Sequence, residues 1–263
     1  MTAALHAEWT KLTALRSTTW TLLAALVLTV LLSLLVTGSS STEGCPPENS
    51  ICDDDLMEIT LAGVYLGQLA VVALGVMAIG SEFTSGMIRT TFAAIPRRRD
   101  VLAAKAAVIG GLVLAIGLVT SLLAFLLARP LLSGNGYTAA NGYATPSLAD
   151  FTTLRAIVGT AVYLAALALF SLGIGAMLRH TAAALSTVLG LLWVPLIVVS
   201  MLPMELGLKV ARLCPMFAGL AIQNTVERED SIPIAPGAGL ALFCAYAVAA
   251  MAGGFWVLAR RDA

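Results

Sequence analysis

Charge is what this chain of 263 residues has least of, since Asp, Glu, Lys and Arg make up 11% of it against about 25% in an ordinary soluble domain. With 59% hydrophobic residues and a mean hydropathy of +0.93, a water-soluble globular domain is excluded. Histidine is nearly missing too, and His6 and His180 both stand at the edges of apolar runs. No His-Glu, Ser-His or paired-carboxylate arrangement falls inside those runs, so an intramembrane enzyme has no support, and no catalytic or metal-binding set is expected. The chain also lacks a G-x-x-x-x-G-K-[ST] phosphate loop and any other glycine-rich turn that could cradle a nucleotide, so it has no ATPase motif. Finally, the central part of every apolar run is free of ionisable residues. Proton-coupled carriers and ion pumps need such residues as relays, which disfavours a self-driven transporter.

Long apolar runs are what the chain does have. A helix rising about 1.5 Å per residue needs about 20 apolar residues to cross about 30 Å of hydrocarbon, and six runs qualify, at about 18–37, 59–80, 106–128, 156–178, 182–202 and 237–259. Helices are the spanning element, because open strands leave backbone groups unpaired in lipid. The expected fold is therefore an all-α integral membrane protein with six transmembrane helices, residues 1–263 forming a single domain. Basic residues are retained in the cytoplasm. With the N-terminus inside, ten of the 15 cations are cytoplasmic, namely Lys11, Arg16, Arg89, Arg97, Arg98, Arg99, Lys105, Arg179, Arg260 and Arg261, while eleven of the 15 acids are outside. Both termini are thus expected inside, with 38–58 and 203–236 extracellular. A cleaved signal peptide is the competing reading of the first run, because Lys11 and Arg16 precede it and Gly38 and Ser39 follow; the run is longer than a typical signal core.

Two cytoplasmic segments are patterned. Over residues 2–17, Leu5, Trp9 and Leu12 recur at i, i+4 and i+7 while His6, Lys11, Thr13 and Arg16 are polar, which predicts an amphipathic helix lying flat in the interface with Trp9 on its apolar face. The alternative is a frayed start of the first span. In the loop 81–105, Ile88, Phe92 and Ile95 share one helical face, Pro96 stops that helix, and Asp100 is placed to cap the third span. Apolar residues flanked by Arg89 and Arg97 to Arg99 suit docking on a cytoplasmic partner. Equally, those arginines can serve only to fix topology and touch lipid phosphates.

With Glu8-Trp9-Thr10-Lys11-Leu12 and Arg16-Ser17 before the first span, then Glu82, Gly86, Arg89 and Thr91 followed by Pro96-Arg97-Arg98 and Lys105, all within a six-span layout, the chain resembles the permease subunits of ABC-type exporters of the second export class, in particular short actinobacterial members. The resemblance covers the whole chain. It implies an interfacial elbow helix bearing Trp9, Lys11 and Arg16, and a coupling helix at about 84–95. It further implies contact with a separate ATP-binding subunit through Glu82, Gly86, Arg89, Phe92, Arg97 and Arg98. ATP and magnesium would sit on that partner, none on this chain, and a second permease copy would complete a dimer in a bacterial plasma membrane. The cargo would be a small amphipathic, lipid-like or peptide molecule moved outward. A non-transporting membrane anchor or regulatory subunit of a cytoplasmic complex is the alternative function.

Smaller signals complete the reading. Gly63 and Gly67, and Ser171 and Gly175, have small-xxx-small spacing and point to close packing within the chain. Gln68, Ser121, Thr160, Ser171 and Ser186 are expected to hydrogen-bond between helices, and Phe125, Tyr163 and Phe170 to line a pathway. Cys45 and Cys52 are disulfide candidates in the first external loop, whereas Cys214 and Cys244 look like buried single thiols. The acidic run Asp53 to Asp55 with Glu58 reads as a solvated loop. The apolar stretch from Leu206 to Ile222, interrupted by Pro215, is too short to span and is expected to be re-entrant, packed on the outer face of the bundle with Glu227 to Asp230 in water.

Overall fold

The structure is a computed structural model, and it describes residues 2–14, 16–41, 54–94, 98–141, 143, 145–226 and 234–260. Among the described residues there are eleven α-helices and no strand: α1 (Thr2–Ala14), α2 (Arg16–Ser39), α3 (Leu56–Leu61), α4 (Val64–Thr84), α5 (Met87–Ala94), α6 (Arg98–Gly134), α7 (Phe151–Leu178), α8 (Thr181–Ser200), α9 (Met204–Ala211), α10 (Pro215–Leu220) and α11 (Pro236–Arg260). Six of them, α2, α4, α6, α7, α8 and α11, are long and apolar enough to cross a membrane. The all-α, six-helix expectation holds.

Two boundaries differ from the sequence reading for local physical reasons. The second apolar run is broken at Ala62–Gly63 into α3 and α4. Gly63 lies against α2 so closely that a Cβ would stand 1.6 Å from the Thr29 carbonyl oxygen, and its N–H donates to Ser33 Oγ at 3.0 Å. Gly67 meets Thr29 in the same way, so this small-residue pair is a seam within the chain. The third run is a helix of 37 residues, about 55 Å long and well beyond the hydrocarbon thickness. Because α6 begins at Arg98, Asp100 sits inside its first turn rather than at its cap.

The core is organised around α7. Gly75 of α4 faces Ala168 and Ser171, Gly173 faces the backbone of Ala250 and Met251 on α11, and Gly175 faces Val76 and Ile79 on α4. In each case the missing side chain lets the helices meet backbone to backbone. By contrast α8 buries only Ala184, Val188 and Leu192 among its residues. Phe125, Tyr163 and Phe170 are 1%, 0% and 6% exposed. They pack in the apolar core and do not line an open pathway, which corrects the expectation drawn from their polarity and size.

The polar residues inside the spans divide. The Tyr163 hydroxyl donates to Gln68 Oε1 at 2.7 Å, Ser121 Oγ donates to the Ile157 carbonyl at 3.1 Å, and Gln223 Nε2 donates to Thr160 Oγ1 at 3.0 Å. Ser171 and Ser186 instead bond to their own helices.

The segment after α8 turns back into the bundle, as a re-entrant piece would, and goes deeper than packing on the outer face. Rather than covering the outer face, α10 is inserted among α4, α7 and α11: Met216 is buried beside Gln68, and Gly219 lies on the rings of Tyr163 and Phe243. Met204 and Leu206 of α9 remain exposed. Cys214 is a buried free thiol and Cys244 a half-buried one. Cys45, Cys52 and Glu227 to Asp230 lie outside the described residues.

Candidate functional site

The first helix turns a charged residue inward and leaves its tryptophan facing outward. Glu8 is 3% exposed, whereas Trp9 beside it is 49% exposed. A buried carboxylate needs partners, because taking an unpaired ion out of water costs several kcal/mol, and α6 supplies one. Lys105 Nζ lies 2.6 Å from Glu8 Oε2 and 3.1 Å from Glu82 Oε1 at the end of α4. Lys11, one turn on from Glu8, reaches Glu8 Oε1 and Glu82 Oε1, each at 3.0 Å. Its ammonium also stands 3.5 Å from Thr91 Oγ1 on α5. Two carboxylates and two ammonium groups thus form a neutral knot that joins four helices, three of its members almost fully enclosed.

The electrostatics favour the charged form. Burial works to lower the Lys11 pKa, but hydrogen bonds to Glu8 and Glu82 and the charges of both acids outweigh it and hold the group above its ordinary value. One acceptor is left over, since Glu82 Oε2 is buried with no hydrogen-bond partner.

The turn that follows Glu82 is built for a sharp corner. Gly86 has a φ of +74°, which only glycine adopts without a steric penalty, and it separates α4 from α5. Ile88 of α5 is 4% exposed and packs inward, so it is not part of an outward docking face. Just inside this corner the Arg179 guanidinium stands 5.3 Å from the centre of the Phe83 ring.

The structure places the anticipated site residues unevenly. Glu82 faces inward into the knot, Gly86 is exposed at the corner, and Arg16 is exposed at the start of α2. Arg89, Phe92 and Arg98 are on α5 and α6, but their side chains lie outside the description, as does Arg97 altogether. Glu8 and Lys105 are the members of the knot to which sequence reasoning gave no role. A signal existed: Glu8 and Glu82 are two of only four acids on the basic side of the chain, the others being Asp100 and Asp262.

At the opposite end of the bundle a second buried acid does different work. Asp55, 1% exposed, caps α3 by accepting from the N–H groups of Met57 and Glu58 at 3.0 and 3.4 Å. It also accepts from Thr225 Oγ1 at 2.7 Å, from Val226 N–H at 3.0 Å and from Thr225 N–H. Arg155 of α7 donates to the Asn224 carbonyl nearby. Asp54 accepts from the Tyr137 hydroxyl at 3.1 Å, and burial together with that carboxylate pushes the Tyr137 pKa up to about 12. The acidic run that reads as a solvated loop is, at Asp54 and Asp55, structural.

Residues 4–190 match the family described as ABC-2 family transporter protein. No curated protein and no solved structure matches the chain. The matched stretch takes in nearly all of α1, the corner after α4, the first four membrane-spanning helices and the first half of the fifth, and it includes every member of the knot. Six apolar helices, a corner tied by charge to the first helix and a family match over most of the length agree: the chain belongs to the ABC-2 family of transporter proteins, as a multi-pass permease component of an ABC transporter whose family carries no ATPase domain of its own and implies an ATP-binding partner subunit.

Proposed function

We propose that this permease works as an exporter, with the α1 and α5 end of the bundle in the cytoplasm of a bacterial cell and the ATP-binding subunit docked there. The observation that carries the reading is the knot of Glu8, Lys11, Glu82 and Lys105. A push on α5 or on the corner at Gly86 reaches Glu82 directly, and through Lys11 and Lys105 it reaches α1 and α6 at once. Ion pairs in a low-dielectric site resist small displacement and release abruptly when one partner leaves, which suits a part that must switch between two arrangements.

The partner holds ATP and magnesium. The cations in and after α5, Arg89 and Arg97 to Arg99, supply its docking surface together with Gly86 at the corner, while Glu82 acts from inside as a positioning residue. A second copy of the chain completes the assembly through exposed apolar faces such as those of α2 and α8, which display Leu31, Leu35, Val194 and Ile197. The absence of ionisable groups from the middle of the spans suits an amphipathic, lipid-like or peptide cargo, carried outward.

Purification of the tagged chain from its native membrane in mild detergent, with co-purifying proteins identified by mass spectrometry, tests this. An ATP-binding cassette protein is expected with the wild type and with Glu82→Gln, and is lost in Arg89→Ala. The Glu82→Gln complex is expected to hydrolyse ATP without moving cargo. Recovery of the chain alone, under conditions that preserve known complexes, would overturn the proposal and favour the membrane-anchor role.

A further inference from the structure

The same pairing that ties α1 to α6 leaves a gap beside it. Glu8 draws the elbow towards Lys105, so α1 leans on α6 more than on α2. Between the three helices lies a cavity of about 360 Å³ lined by Trp9, Thr18, Leu22, Leu26, Leu112 and Ile116. This is within the size range of small-molecule sites. Its lips, Leu23 and Val119, are 47% and 51% exposed, so it opens sideways from the bundle and not along its axis. From Thr18 to Leu26 it follows α2 for about 12 Å. The medium beyond that opening is lipid, because the walls are membrane-spanning helices.

The two ends of the cavity differ chemically. The deep end is aliphatic. The shallow end carries Thr18, the Trp9 ring, and just beyond them the exposed Arg16 at the first residue of α2. Aromatic and cationic side chains together mark headgroup level, and a cation there favours a negative headgroup by about fivefold. We infer that this groove binds one acyl chain of an anionic phospholipid from the surrounding leaflet, with its headgroup on Arg16 and the Trp9 ring across the chain. The site does not depend on the exporter reading, since it needs neither ATP nor cargo.

Native mass spectrometry of the purified full chain, equilibrated with equal phosphatidylglycerol and phosphatidylcholine of matched chains, tests it. One phosphatidylglycerol per chain is expected to survive mild activation, retained about fivefold over phosphatidylcholine. In Ile116→Trp, which fills the groove, that bound lipid is lost. Leu23→Trp makes the same plug from the exposed lip, where the fold tolerates it, and is expected to give the same loss with an unchanged melting temperature. In Arg16→Gln the lipid remains but the preference falls to about onefold. Retention of phosphatidylglycerol by a folded Leu23→Trp at the wild-type level would overturn the site, as would equal retention of both lipids by the wild type; a chain pairing with itself over the groove, seen as a lipid-free dimer, would overturn it too.

Discussion

The two ends of this bundle are both fastened by buried acids, and they are fastened in opposite ways. At the α5 end the acids Glu8 and Glu82 are met by full positive charges on Lys11 and Lys105. At the other end Asp55 is met mostly by backbone N–H groups and one hydroxyl. An ion-pair knot depends on four side chains from three separate helices arriving together. The carboxylate of Asp55, held mostly by backbone donors, depends instead on two short segments, 55–58 and 225–226, keeping their backbone shape against each other. The first kind of fastening can be undone by moving one helix, and the second holds until the segment itself unfolds. On the proposed function, that asymmetry puts the lability at the end on which the ATP-binding subunit would act.

The comparison breaks most sharply at Lys105. Lys105→Ala leaves two enclosed carboxylates facing the half-exposed Lys11 alone, and a loss of about 3–5 kcal/mol is expected, read as a lowered unfolding midpoint in detergent. Glu8→Gln with Lys105→Met is expected to cost less than the sum of the single changes, because the two charges share one network. Asp55→Ala comes next, at about 2–3 kcal/mol, from a lost helix cap and stranded donors. Proteolysis of the segment after Gln223 is the readout that separates it from the knot variants, which should leave that segment protected. Gly219→Ala pushes a methyl into the Tyr163 ring, where a Cβ would stand 2.4 Å away, and about 1–3 kcal/mol is expected in thermal melts.

Alkali sharpens the comparison with the smallest effects. Lys11 titrates above its ordinary value of 10.5, so its contribution is complete below that pH and fades as pH rises through the higher folded value. Tyr137 stays neutral up to about 12; its contribution is complete below the ordinary phenol value and is lost as pH rises through the folded one. Both ends therefore loosen in strong base. Tyr137→Phe should remove one phenol titrating near 12 from an ultraviolet titration and cost about 1 kcal/mol.

How much of this could be read beforehand follows from distance along the chain. Membrane helices declare themselves through runs of about 20 apolar residues, a local property, and the glycine spacing at Gly63 and Gly67 is local as well. The family resemblance, which includes Gly86, was legible for the same reason. Glu8 meets Lys105 across 97 positions and Asp55 meets Thr225 across 170, and no periodicity links partners so far apart. The first helix shows the limit most clearly: the spacing of Leu5 and Trp9 gives no sign that Glu8, between them, is drawn inward by Lys105 on α6. The insertion of α10 likewise depends on Tyr163 and Phe243, which lie far from it in sequence.

The glycine contacts of α7 restrict how such a molecule can change shape. Where Gly173 rests on the Ala250 backbone and Gly75 on Ala168, no rotamer can give way, and any separation opens a void along the whole line of contact. By the same reasoning Gly63 and Gly67 seat α2 on α4, so α2, α4, α7 and α11 are expected to turn as one body, and α8, which buries only Ala184, Val188 and Leu192, is the helix freest to move against it.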